Sequence, residues 1–217
     1  TEKVYQQIPT PEEAKRLLEI LANEPEEYKL FYALAIYTGC RRGELCALRW
    51  SDFTCVGYDG ILTVQNSRSS VLGQGIAEGT TKNGKARTIY LYDDMMSLLR
   101  GYGHYKLEEA KQNKRRFSEY LFVNADGTHM HPDTFTKRLR KIYDQNGFSK
   151  HFHLHTLRHY FVSTMLHSGV DKQTVADLAG HGDTSFLERT YCHPQMALKE
   201  QAAKKMFSSM LEEVIAG

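Results

Sequence analysis

The sequence predicts a mixed, mainly α-helical fold with a small antiparallel β-sheet or hairpin insertion, and three observations lead there. Apolar residues recur at helical spacing through most of the chain, with capping residues before the runs and glycines after them. Between Gly60 and Leu91 the period shortens to that of strands, and Asn83-Gly84 gives a tight-turn signal. The length, 217 residues with 41% hydrophobic content, is enough for one substantial core.

Taken in order, the first helix should enter at Thr10, with Pro11 in its first position and Glu12-Glu13 at the positive end of its dipole. Leu17, Leu18 and Leu21 would face the core. A second helix over 26–38 is rich in apolar residues (Leu30, Phe31, Ala33, Leu34, Ile36, Tyr37), and Gly39 stops it. A third starts at Arg41, where Glu44, Leu45 and Leu48 can pack and pair while the guanidinium points outward. Strands follow at 61–65 and 87–91, with 67–70 continuing into another. A helix over 92–109 carries Met95, Met96, Leu98 and Leu99, and leads to a basic connection at Lys114, Arg115 and Arg116. Residues 120–123 read as a short buried strand. The helix opened by His131-Pro132-Asp133 turns Phe135, Leu139 and Ile142 inward and Lys137, Arg138, Arg140 and Lys141 outward, and Asn146-Gly147 ends it.

The stretch from His155 to Tyr191 concentrates the chemistry. His155 and Arg158 fall on one face of the first turn of a helix, opposite Leu157, Phe161, Val162 and Met165. Gly169 ends that helix. A second, over 172–178, leads into Ala179-Gly180-His181-Gly182, where glycines on both sides of a histidine allow a tight turn and a close approach to a ligand. A third helical segment, 184–190, brings up Tyr191. Together with an arginine at the start of an earlier helix, these groups can be directed at one phosphate. Residues 195–215 would form a further long helix with an apolar stripe through Met196, Leu198, Met206, Phe207 and Leu211.

Composition narrows the alternatives. A formal net charge of +2 does not by itself predict a nucleic-acid partner, so the local basic runs matter more than the sum. No stretch of about 18 apolar residues exists to span a membrane. Four cysteines without paired spacing fit a reducing, cytoplasmic setting. Ten histidines invite a metal reading, yet a cation beside Arg158 would meet like charge. No glycine-rich loop ending in Gly-Lys-Ser/Thr is present to hold a nucleotide, and no paired acids flank the cluster for two-metal hydrolysis. No cofactor is expected.

His155-Thr156-Leu157-Arg158-His159, then Leu178-Ala179-Gly180-His181, then Tyr191 resembles the H-x-L-R-H, L-x-G-H and Y signature of the tyrosine recombinases, the phage-integrase family. Thr38-Gly39-Cys40-Arg41-Arg42-Gly43-Glu44-Leu45 is similar to the family's first arginine box, T-G-x-R-x-x-E-L. The resemblance implies a catalytic domain over 1–217, with 195–217 as a tail helix and no counterpart in this chain of the family's amino-terminal clamp domain. It further implies transesterification of DNA. Tyr191 would attack a scissile phosphate, Arg41 and Arg158 would neutralise its oxygens, and His155 would take the phenol proton. His181 would donate a hydrogen bond, and Lys82, beside the hairpin turn, would protonate the leaving 5′-oxygen, with Lys85 a close competitor. His159 reads as structural.

Arg42, Lys85, Arg87, Lys114, Arg115, Arg116, Lys137, Arg138, Arg140 and Lys141 are candidate DNA contacts. Tyr191-Cys192-His193-Pro194 and the long hairpin resemble integrases of conjugative transposons or phages more than chromosome-dimer resolvases. The expected partners are double-stranded DNA, other protomers in a synaptic tetramer with the tail helix in cis or in trans, and an excision accessory factor. The expected place is the bacterial cytoplasm, at the nucleoid. The alternatives are a non-cutting DNA-binding regulator with the same fold and a topoisomerase of the type IB kind.

Overall fold

The computed structural model describes residues 8–71, 75–81, 84–180 and 184. Helix α1 (Pro11–Leu21) starts where Thr10 and Glu13 close a reciprocal cap: Thr10 Oγ1 accepts from the Glu13 N–H at 3.2 Å and Glu13 Oε2 from the Thr10 N–H at 2.9 Å. Ala14, Leu17 and Leu21 form its buried stripe. Leu18, expected inside, is instead exposed, because one residue past Leu17 it is turned about 100° off that stripe. Helix α2 (Glu26–Thr38) is the central rod, burying Leu30, Phe31, Tyr32 and Leu34. It stops at Gly39, whose φ of 62° suits glycine; a Cβ there would also lie 2.3 Å from the Phe161 ring.

Helix α3 (Arg42–Cys46) is one short turn, followed by a 3₁₀ turn at Trp50–Asp52 and five strands: β1 (Phe53–Val56), β2 (Asp59–Val64), β3 (Asn66–Val71), β4 (Gly75–Thr80) and β5 (Arg87–Leu91). β1, β2 and β5 form an antiparallel sheet in that order, with Leu62 opposite Ile89 and Gly60 opposite Leu91; β3 and β4 make a separate two-stranded ribbon. Leu62, Val64, Ile89 and Leu91 are all buried, as alternation requires. Helix α4 (Asp93–Gln112) packs close against this sheet, so that a Cβ on Gly60 would lie 2.5 Å from the Met96 sulfur.

Two readings need correction. The expected strand at 120–123 is not a regular one: its residues pair only through isolated bridges, Arg49 with Tyr120 and Val123 with His129, although Leu121, Phe122 and Val123 are buried. β1 and β4 were not expected. Cys55 and Val56 of β1 are exposed, and in β4, whose ends are Gly75 and Thr80, Ile76 alone is partly buried, so neither strand carries an alternating apolar pattern.

Helices α5 (Pro132–Gln145), α6 (Leu154–His167) and α7 (Lys172–Ala179) complete the described part. The Phe31 and Phe135 rings stack at 3.7 Å, with Phe122 at 5.2 Å from Phe31, joining α2, α5 and the 121–123 segment. Trp50 stacks on Tyr102 of α4 at 6.0 Å, with Phe117 at 5.4 Å. The helical segment expected at 184–190, Tyr191 and the tail at 195–217 lie outside the described residues, apart from Thr184.

Candidate active site

Gly39 turns the chain out of α2 so that Arg41 becomes the residue capping α3. Its backbone N–H donates to Glu44 Oε2 at 2.8 Å, its Nη1 to Glu44 Oε1 at 3.0 Å, and its Nη2 to the Gly180 carbonyl at 2.8 Å. About a quarter of the Arg41 side chain remains exposed. Arg158 stands on the first turns of α6, buried, and donates from Nη1 to the Gly39 carbonyl at 2.7 Å. One glycine thus supplies the turn that presents the first arginine and the carbonyl that steadies the second. Burial, and after it the charge of Arg41, pulls the Arg158 pKa down to about 10, so it stays cationic at neutral pH.

His155 lies one turn before Arg158. Desolvation by its neighbours, followed by the positive charges of Arg158, His153 and Arg41, lowers its pKa to about 4. The residue is nonetheless open to solvent, which can relieve part of the desolvation but not the neighbouring cations. Its imidazole is therefore neutral at pH 7 and able to accept a proton. The His159 ring meets it edge-to-face at 4.7 Å and is itself buried, which fits the structural role expected of His159. A cavity of about 210 Å³ opens beside this group, lined by Cys40, Arg42, Thr136, His153, His155 and Arg158.

Glu44 is the hub of the cluster, although its side chain is only 1% exposed. Burial favours its neutral form, but hydrogen bonds and charge from Arg87, then from Arg41, hold the carboxyl below its ordinary range. Arg87 reaches it from β5, with Nη2 donating to Oε2 at 2.7 Å and Nη1 to Oε1 at 3.2 Å. The same arginine donates from Nε to the Leu178 carbonyl at 2.8 Å and from Nη2 to Cys40 Sγ at 3.3 Å. Arg87 was expected on the DNA side; its side chain is 10% exposed and turned inward. The signal was present in β5, where alternation places Arg87, Ile89 and Leu91 on one face and two of these three are core residues.

The other basic candidates divide. Lys85, Lys114, Arg116, Lys137 and Lys141 are exposed. The others are engaged within the fold. Arg42 donates from Nη1 to Asp133 at 2.6 Å and Thr136 at 3.1 Å; Arg115 binds Glu109 and the Ala125 carbonyl; Arg138 holds Glu24 with two bonds of 2.6 and 3.0 Å; Arg140 pairs with Asp144. The structure brings Arg41, His155 and Arg158 near one another, with Arg41 bound to the end of α7. Lys82, His181 and Tyr191 lie outside the described residues, His181 directly after Gly180. Among the described residues, no group of three or more His, Cys, Asp or Glu could hold a metal ion.

The family model described as the phage integrase family matches residues 8–197. The ICEBs1 integrase of Bacillus subtilis is 25% identical over 198 residues, covering 90% of this chain and 53% of that protein. The tyrosine recombinase XerC of Xanthomonas campestris is 28% identical over 193 residues, covering 86% and 51%. The chain spans about half the length of these curated relatives. Among solved structures, the Tn1549 transposon integrase in complex with transposon right end DNA superposes with a TM-score of 0.73 at 18% identity, covering 93% of this chain and 68% of that one. A XerA recombinase does so at 0.67 and 26% identity, covering 92% and 65%.

Proposed function

The chain belongs to the phage integrase family, and from that premise we propose that it cuts and rejoins double-stranded DNA at specific sites through a covalent 3′-phosphotyrosyl intermediate, integrating or excising a mobile element. Tyr191 attacks the scissile phosphorus, the P–O5′ bond breaks, and the 5′-hydroxyl leaves with a proton from Lys82. His155 takes the phenol proton, which a group with an ordinary pKa near 10 does not give up unaided at neutral pH. Arg41 and Arg158 neutralise the charge that builds on the non-bridging oxygens, and His181 adds a hydrogen bond. Attack of a 5′-hydroxyl from the partner strand reverses the step. The ester bond keeps the energy of the phosphodiester, so no nucleotide is consumed.

The observation that carries this reading is the meeting of Arg41 and Arg158 with a neutral His155, Arg41 being bound to the Gly180 carbonyl at the end of α7. Two guanidiniums, Arg41 and Arg87, pair with one carboxylate, Glu44, so that this group carries a positive charge in excess. A phosphodiester, which gains negative charge on the way to its transition state, is the matching guest.

Assembly follows the same logic. Strand exchange needs four protomers on two DNA sites, and an accessory factor can bias excision. A groove of about 460 Å³ edged by Ile36, Tyr37, Tyr90, Tyr160 and Met165 would receive an apolar segment, and the sequence of 195–217, rich in Met and Leu, is our candidate for it, from its own chain or from a neighbour. No described helix is long and apolar enough to cross a membrane, and a DNA substrate puts the work in the bacterial cytoplasm at the nucleoid.

The test is an end-labelled duplex carrying the recombination site and a nick that lets the 5′-hydroxyl fragment diffuse away. A labelled protein band on a denaturing gel that vanishes in Tyr191→Phe is the expected result. Good DNA binding without any band would favour the non-cutting regulator.

A further inference from the structure

Arg87 is absorbed by no step of the proposed mechanism, yet its guanidinium is bonded at every nitrogen. Its fork covers both oxygens of Glu44, its Nε holds the Leu178 carbonyl, and it touches Cys40, so one side chain on β5 joins the start of α3 to the end of α7. Gly180 lies against it closely enough that a Cβ there would come within 2.8 Å of Arg87 Nη1 and 3.3 Å of Arg41 Nη1. Arg87 donates to the Leu178 carbonyl and Arg41 to the Gly180 carbonyl, both at the end of α7. The end of α7 and the aim of Arg41 are therefore tied to the same guanidinium pair.

We propose that Arg87 is a positioning residue for strand cleavage, which balances the charge of Glu44 so that Arg41 keeps its own for the phosphate and anchors the end of α7 that leads into His181. The inference rests on the strand-cleavage reading and adds to it. Without Arg87, Glu44 would have Arg41 as its remaining guanidinium partner, and the Arg41 charge would be spent inside the protein. With Arg87 in place, Glu44 serves as a fixed rest for Arg41 at little electrostatic cost.

The experiment compares Arg87→Met, Arg87→Lys and the double variant Arg87→Met with Glu44→Gln, measuring affinity for the nicked duplex and the single-turnover rate of adduct formation. Arg87→Met should bind the duplex as wild type does and form adduct about 100-fold more slowly, the scale of loss for a misplaced catalytic group. Arg87→Lys should recover part of the rate. The double variant should be faster than Arg87→Met alone, because removing the Glu44 charge frees Arg41. Loss of rate in step with affinity would make Arg87 a DNA contact and overturn the proposal, as would a wild-type rate in Arg87→Met or a double variant no faster than the single. If Arg87→Met does not fold, Arg87→Lys decides: slowed cleavage at unchanged affinity is expected, and a wild-type rate overturns it. A wild-type protein that binds the duplex without forming adduct would sink the strand-cleavage reading instead. Arg87 is then judged on inorganic phosphate, which Arg87→Met should bind more weakly, equal binding being the contrary result.

Discussion

Around Glu44, two guanidiniums meet one carboxylate; along α5, Arg138 faces Glu24, Arg140 faces Asp144, and Arg42 reaches across from α3 to Asp133. Both regions are rich in arginine, but the α5 arginines are matched one for one and the Glu44 cluster is not. Burial differs as well. Glu44 and Arg87 are 1% and 10% exposed, whereas Arg138 is 35% exposed and Arg140 and Asp144 are 42% and 56%, where water screens them. A basic run in a sequence therefore says little about free positive charge. What matters is how many carboxylates the fold sends to meet it.

The largest effect that would break this contrast is Glu44→Gln, which leaves buried Arg87 without its carboxylate and should cost about 3 to 5 kcal/mol of stability in a denaturant titration. A loss no larger than that of an α5 pair would mean the cluster is not special. Arg41→Lys should slow adduct formation by the equivalent of about 2.7 to 4 kcal/mol at most, since lysine lacks the fork that spans Glu44 and Gly180. Gly180→Ala places a side chain at a φ of 67° and against Arg87, and should cost about 1 to 2 kcal/mol in the same titration.

The pH dependence sharpens the comparison further. The folded-state pKa of His155, about 4, lies below its unfolded value of about 6.5, so the folded protein binds fewer protons between them. Its contribution to stability is complete above about pH 6.5 and is lost as pH falls toward 4. Melting temperatures at pH 7.5 and 5 should therefore fall further in wild type than in His155→Gln, and equal falls would mean that burial and the neighbouring charges do not depress the His155 pKa. The smallest effect is expected from Arg138→Ala, about 0.2 to 1 kcal/mol for a partly exposed pair, with little change in DNA affinity because that guanidinium is held by Glu24.

Much of the fold was legible in the sequence because its signals are local. Thr10 with Glu13, Gly39 after α2 and Pro132 at the start of α5 are capping devices that need no knowledge of distant neighbours. Arg41, His155 and Arg158 could be grouped from spacing and family pattern. The role of Arg87 could not, because its partners Glu44 and Leu178 lie 43 and 91 residues away and only the tertiary fold, with β5 lying against α7, brings them near. Leu18 and β4 failed for a related reason: whether an apolar residue is covered, or a polar strand finds a partner, depends on which element the rest of the chain lays over it.

Trp50 is the single tryptophan of the chain, and its ring stacks on Tyr102 of α4 with Phe117 tilted beside it. The protein thus carries one intrinsic fluorophore, placed in the joint between the 3₁₀ turn and α4. Loss of that joint would expose the indole to water and shift its emission to the red, whereas a rearrangement confined to Glu44 and its arginines would leave the spectrum as it is. A single emission scan of each variant therefore separates collapse of the molecule from a change in its chemistry.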